Sequence, residues 1–271
     1  MGWVLPHVAE VNLWHIVLFA VLGLVIGSFL NVLIYRLPLM ILRNEEPETA
    51  AFNLKTPRSH CPHCQHQLHW YELIPVLSYA VSLGRCRHCQ QTISWRYPLV
   101  EILTAGLFCL CLLKFGFAWP ALLASAFCAM LLALAWIDAE TFLLPDALTQ
   151  ALLWVGLIGS AMSLTPTPLL HSLSGAVLGY GLLWLVSWSF EQLAGKEGMG
   201  QGDLKLLAGL GAWVGVWSLL PLILLASISG LIFGLVQKFR GQLGHNGHFP
   251  FGPFLALSGF ACFFLGISMG A

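Results

Sequence analysis

Apolar runs of 14 to 22 residues recur eight times along this chain and leave it few ways to fold. They cover Leu13–Ile34, Leu99–Leu113, Ala121–Ile137, Ala147–Leu164, Leu169–Phe190, Leu204–Leu219, Leu222–Val236 and Phe254–Ile267, with the sixth-to-seventh break around Ser218 to Pro221. A bilayer core about 30 Å thick takes roughly 20 helical residues, and backbone groups inside it must bond to one another. The expected fold is an all-α polytopic membrane protein of about eight transmembrane helices. A closed barrel would need alternating strands of about ten residues, and no such period is found. Only 9% of the 271 residues are charged, against roughly 25% in soluble domains. A net charge of zero argues against a nucleic-acid partner. The N-terminus lacks the basic start and small-residue cleavage site of a signal peptide, so no processing is expected.

Basic residues set the orientation. Arg36, Arg43, Lys55, Arg58, Arg85, Arg87 and Arg96 fall between the first two runs, Lys196 and Lys205 between the fifth and sixth, and Lys238 and Arg240 between the last two. Eight spans put all of these on one side and leave only Lys114 on the other. That side is expected to be cytoplasmic, with both termini outside.

The same threading puts Asp138 at the cytoplasmic end of the third span and Asp203 at the cytoplasmic start of the sixth. Ionisable groups near bilayer depth are costly and usually functional. Two carboxylates that meet there suffice for an aspartic protease, one binding a proton while the other deprotonates water. A proton or ion relay is the rival reading, but both acids at one face make a poor path through the membrane, and no inverted repeat is visible. The first acid block reads Trp136-Ile137-Asp138-Ala139-Glu140-Thr141-Phe142-Leu143-Leu144-Pro145-Asp146. Asp146, after a proline and before the fourth span, reads as a helix N-cap, and Glu140 as a solvated interfacial charge. The second block reads Gly198-Met199-Gly200-Gln201-Gly202-Asp203-Leu204-Lys205. Gly200 and Gly202 would permit positive φ and let a substrate strand approach without a Cβ in the way. Capping of the sixth helix is the alternative role of Asp203. Lys205 either snorkels to headgroups or helps hold Asp203 ionised.

The segment 38–97 is the one sizeable polar insert. It carries Cys61-Pro-His-Cys64 and, after 21 intervening residues, Cys86-Arg-His-Cys89. Two CxxC knuckles supply four thiolates for a tetrahedral Zn²⁺, and a cytoplasmic setting disfavours disulfides. A redox pair and unliganded thiols are the alternatives. His60, His63, His66, His69 and His88 crowd the knuckles, but four sulfurs already fill the shell, so the site reads as structural. Cys109, Cys111, Cys128 and Cys262 lie within apolar runs and read as small core residues. Gly23 with Gly27, Gly175 with Gly179, and Gly230 with Gly234 sit at small-xxx-small spacing and are expected to mark close helix packing. Pro250-Phe251-Gly252-Pro253 opens the last span, where it could line the same rim as the two acids.

Together with Trp70-Tyr71-Glu72-Leu73-Ile74-Pro75, Gly84-Arg85-Cys86 and Arg96-Tyr97-Pro98-Leu99-Val100-Glu101, these blocks resemble the bacterial prepilin peptidases of type IV pilus and type II secretion systems. The resemblance covers nearly the whole chain. It implies a GxGD aspartyl protease of the bacterial inner membrane with Asp138 and Asp203 as its catalytic pair. Prepilin or pseudopilin N-terminal segments would be cut on the cytoplasmic side, after a glycine that ends a short basic leader. It also implies N-methylation of the new terminus with S-adenosylmethionine, for which Glu72, Gly84 and Arg85 are candidates. The domains expected are a first span (1–37), a zinc-binding, methyltransferase-associated loop (38–97) and a seven-helix protease core (98–271).

Overall fold

The computed structural model describes residues 11–43, 53–195, 200–240 and 250–268. The N-terminal stretch read for a signal peptide, Lys196, Gly198 and Met199 lie outside the described residues. The described residues are helical, without strands. Eight long helices stand where the eight apolar runs are: α1 Leu13–Arg43, α3 Arg96–Phe115, α4 Trp119–Thr141, α5 Asp146–Ala161, α6 Leu169–Ala194, α7 Gln201–Val214, α8 Leu219–Phe239 and α9 Gly252–Leu265. A ninth, α2, is the five-residue Leu77–Val81. Among the described residues, five helical segments are long and apolar enough to cross a membrane: α1, α3, α4, Leu169–Leu193 within α6, and Val216–Phe239 around α8. The remaining three, α5, α7 and α9, have 16, 14 and 14 residues. At 1.5 Å per residue the shortest measure only about 21 Å.

The chain divides into two compact units, one within residues 5–129 and the other within 130–271. In the first, α1 packs on α3 through its glycines. A Cβ at Gly23 would stand 2.6 Å from Ala105 Cα, and one at Gly27 would stand 2.7 Å from Glu101 Cα. Small residues therefore set that helix contact. α1 continues through Pro38 to Arg43. Buried Arg36 turns back to the polar insert, donating to the carbonyls of Asn53 at 2.8 Å and Pro57 at 2.6 Å. Asn31 donates to the Tyr97 carbonyl at 3.0 Å, fixing the start of α3.

In the second unit α7 is buried almost all round, from Leu204 through Leu206–Trp213. That explains why so short a helix is nearly uniformly apolar. Fully buried Trp213 donates its indole N–H to the Leu152 carbonyl at 2.8 Å, and the Thr167 hydroxyl donates to the Trp213 carbonyl at 2.7 Å. Gly175 packs on Gly211, and a Cβ at Gly179 would stand 2.9 Å from the Leu207 carbonyl oxygen. Two expectations need correcting here. Gly234 has open space where a Cβ would stand, so no close contact explains it. The sixth run breaks at Gly215, where φ is 78°, rather than at Ser218 to Pro221. Pro221 lies in the first turn of α8, where its missing N–H costs no helix bond.

Candidate active site

Asp138 occupies the last turn of α4. That helix stops because Phe142 takes a left-handed φ of 56° and donates its amide to the Asp138 carbonyl at 2.9 Å. A phenylalanine in that region is strained, and such residues gather at functional sites. The Asp138 side chain is buried. Its Oδ2 accepts the backbone N–H of Gly252, the first residue of α9, at 2.8 Å. An N-terminal helix amide and the aligned dipoles behind it favour negative charge at that oxygen. A Cβ on residue 252 would lie 2.7 Å from the same oxygen, so only glycine lets the amide approach. Sequence reasoning placed Pro250–Pro253 at the rim without giving Gly252 a role. Its signal was a glycine just ahead of a proline that opens a helix.

Asp203 sits in the first turn of α7, whose N-cap is Gly200 without a side-chain capping bond. Asp203 is thus inside the helix and does not cap it. Its carboxylate lies within electrostatic reach of Asp138. Its Oδ1 is buried, with no hydrogen-bond partner among the described residues. The two acids therefore lie within electrostatic reach of each other, one oxygen held by an amide and another buried without a donor among the described residues.

The neighbouring expectations change in detail. Gly200 has φ −63° and Gly202 is helical, so neither is needed for positive φ. Gly202 is required by packing: a Cβ there would stand 2.7 Å from Leu144 Cβ in the turn before α5. At Gly200 the nearest atom to a Cβ would be Asp203 Oδ2 at 3.8 Å, an ordinary contact that leaves clearance beside the acid. Asp146 is not an N-cap; Pro145 holds that position. Its carboxylate instead takes both oxygens to Lys205 Nζ, at 2.7 and 2.8 Å. That pair ties the start of α5 to the first turn of α7, so Lys205 faces Asp146 rather than headgroups. Glu140 accepts the Trp136 indole N–H at 2.8 Å.

In the other unit the four cysteines converge. Their sulfurs all lie within 4.8 Å of one another, with Cys61 to Cys89 at 3.8 Å and Cys64 to Cys86 at 4.0 Å. Thiolates at about 2.3 Å from a tetrahedral ion stand about 3.8 Å apart, so the donor set fits Zn²⁺. The two knuckles repeat one design. The Cys61 amide donates to the His66 carbonyl and the Cys86 amide to the Gln91 carbonyl, each at 2.9 Å, and Gln65 and Gln90 take φ of 58° and 61°. Backbone amides of Cys89 and His88 hold the Cys86 thiol down to about 7, favouring the ligating thiolate. The His66 and His88 rings lie against each other, tilted by 47° with centroids 4.6 Å apart, and the metal-ligand cluster is made of the four cysteines. Cys111 and Cys128 are buried 3.7 Å apart in the apolar helices.

The three loop candidates have local duties. Glu72 Oε2 accepts the His69 amide at 2.9 Å and closes a short 3₁₀ turn, Trp70–Leu73. Gly84 has φ 67°, and a Cβ there would stand 2.8 Å from the Tyr79 hydroxyl. Arg85 is exposed, its amide donating to Ser82. No hydrogen bond or ion pair joins Glu72 to Gly84 or Arg85.

Residues 21–115 match the Bacterial Peptidase A24 N-terminal domain, and residues 125–235 match the Type IV leader peptidase family. Relatives from several bacteria carry the name prepilin leader peptidase/N-methyltransferase. That of Burkholderia pseudomallei strain 1026b is 46% identical over 91% of this chain and 84% of its own length. That of Pseudomonas aeruginosa is 44% identical over 94% and 92%, and that of Neisseria gonorrhoeae 42% over 90% and 88%. No solved structure matches the chain.

Proposed function

This chain belongs to the type IV leader peptidase family, and we propose that Asp138 and Asp203 are its catalytic pair. It is a prepilin peptidase with N-methyltransferase activity. What supports the assignment is the asymmetry of the two carboxylates: Asp138 Oδ2 has the Gly252 amide, and Asp203 Oδ1 is buried without a donor. A hydrogen bond to the charged form favours that form, and two neighbouring carboxylates hold one proton between them. Asp138 is then the ionised base and Asp203 the acid.

In the cleavage step Asp138 takes a proton from water as the water oxygen bonds to the scissile carbonyl carbon. Asp203 gives its proton to the carbonyl oxygen. As the tetrahedral species collapses, the C–N bond breaks, the leaving amine takes the proton held by Asp138, and one hydroxyl of the diol returns its proton to Asp203 as the new carboxyl C=O forms. No covalent intermediate forms. Gly200 leaves the side of Asp203 open for an extended leader–helix junction, while Gly202 and the Asp146–Lys205 pair fix the start of α7.

Further parts of the reading are proposals of the same kind. The eight long helices all lie in the inner membrane, with the acids at the cytoplasmic face and the termini periplasmic. The substrates include pseudopilins as well as prepilins. Cys61, Cys64, Cys86 and Cys89 hold a structural Zn²⁺, whose filled shell gives it no part in hydrolysis. S-adenosylmethionine supplies the methyl group. The insert offers the charges such a group needs: the Glu72 carboxylate would suit the sulfonium, and exposed Arg85 would suit the methionine carboxylate. The segment 38–97 is the methylating part and 98–271 the proteolytic core.

The test is leader removal from a purified prepilin, followed by mass measurement of the mature N-terminus. Asp138→Asn and Asp203→Asn should each leave the leader in place. Full processing by either variant ends the assignment.

A further inference from the structure

The polar insert does not hide its large apolar side chains. Trp70, Leu77, Val81, Leu83 and Trp95 are 77%, 63%, 69%, 85% and 67% exposed. Leu77 and Val81 stand four residues apart on α2 and so share one face. Leu83 turns outward from a left-handed φ of 52°, a conformation in which water-facing loops use glycine or asparagine. Large apolar side chains left exposed at this density within one insert mark a surface that something covers.

A buried acid fixes the depth of that segment. Val76, the N-cap of α2, donates its amide to Glu101 Oε2 at 2.7 Å. Glu101 is buried and lies five residues into α3, about 7 to 8 Å along its axis. α3 has 20 residues and is among the helices long and apolar enough to cross a membrane; at about 30 Å it matches a hydrocarbon core. The start of α2 is therefore held at the membrane boundary rather than out in water. Val76 is β-branched with a φ of 60°, a strained geometry that persists only because its surroundings hold it. Trp95, the N-cap of α3, stands about 9 Å nearer the start of that helix than Glu101, on the headgroup side of it. Interfaces favour tryptophan, whose ring is apolar and whose N–H is wet. Between Asn53 and Tyr97, five basic side chains (Lys55, Arg58, Arg85, Arg87 and Arg96) stand against Glu72 alone. That balance attracts anionic headgroups.

We infer that the segment Trp70–Leu83, with Trp95, lies in the headgroup–acyl boundary of the membrane that α3 crosses, anchoring the tetracysteine module against anionic phospholipid. Leu77 and Val81 point into the acyl region, and the knuckles are held flat at the surface.

The test uses the full chain in nanodiscs of phosphatidylethanolamine and phosphatidylglycerol, without substrate. A spin-labelled non-canonical residue spares the cysteines and is placed in turn at Leu77, Val81, His63 and Leu110. His63, exposed on the first knuckle, is the aqueous reference, and Leu110, exposed on α3, is the lipid reference. Leu77 and Val81 should show oxygen accessibility near that of Leu110 and nickel-chelate accessibility several-fold below that of His63. Values equal to those of His63 overturn the inference. So does protection that appears only when a prepilin leader peptide is added, which would make the patch a protein-docking surface. An aqueous signal at Leu110 would instead overturn α3 as a span, separating that failure from this one. Should labelled variants lose their zinc, the unaltered protein carries the test. A phospholipid with a diazirine near its glycerol should cross-link within residues 70–83, and an unlabelled segment overturns the inference equally.

Discussion

The backbone amide of Gly252 donates to Asp138 Oδ2 at 2.8 Å, across 114 residues of sequence. Because a Cβ at that position would come within 2.7 Å of the carboxylate oxygen, Gly252→Ala must push either Asp138 or the start of α9 aside. Misplacement of a catalytic group by about 1 Å costs on the order of 10²-fold in rate. Gly252→Ala is expected to lose about that much in kcat for leader cleavage while zinc content and substrate KM stay near wild type. An unchanged kcat would show that the amide is not a positioning group.

A pair that works as one unit gives non-additive losses. Asp138→Asn, Asp203→Asn and the double variant should all lose cleavage to a similar extent, on the order of 10⁴-fold or more by analogy with other catalytic units. The wild-type rate should fall at low pH as Asp138 gains a proton and at high pH as Asp203 loses its own, giving a bell. Methylation of a pre-cleaved substrate should survive both substitutions. A double variant far slower than either single one would mean the acids act independently.

The tetracysteine cluster and the acid pair fall in different compact units. Cys61→Ser with Cys86→Ser should remove about one zinc per chain, abolish methylation and leave leader cleavage within a few-fold. Metal analysis and the mass of the mature N-terminus check this together. Loss of cleavage in proportion to zinc would join the two activities.

The helices and the acids were legible because membrane burial writes itself locally: every apolar run has its helix, and Asp138 and Asp203 stand at run ends. The cysteines were legible because metal geometry demands CxxC spacing. Contacts made at a distance were not. Nothing local shows that Gly252 reaches Asp138, or that Asp146 gives its carboxylate to Lys205, since each depends on how helix ends meet. α2 escaped notice because five residues carry no period, and α1 ran past Pro38 because a proline near a helix end costs little where neighbours re-satisfy the backbone.

The Asp146–Lys205 pair is part-exposed, with side chains 66% and 26% accessible. Pairs of that kind contribute about 0.2–1 kcal/mol. Lys205→Met should therefore slow cleavage no more than a few-fold. The charge swap Asp146→Lys with Lys205→Asp should recover the rate. A loss like that of Asp203→Asn would instead put Lys205 in the chemistry.

Gly200 and Gly202 flank the same acid and should respond in opposite ways. At residue 202 a Cβ would meet Leu144 Cβ at 2.7 Å, so Gly202→Ala forces the start of α7 away from the preceding turn and carries Asp203 with it. The expected result is a large fall in kcat that Leu144→Ala, by opening the space, partly restores in the double variant. At residue 200 a Cβ would meet only Asp203 Oδ2, at 3.8 Å, so Gly200→Ala should leave the empty enzyme unchanged. Its cost should appear when a peptide lies beside Asp203, as a rise in KM that grows with Gly200→Val and that no change at Leu144 repairs. Rescue of Gly200→Val by Leu144→Ala would place residue 200 in the packing of α7 and remove the open flank through which the leader is proposed to reach the acids.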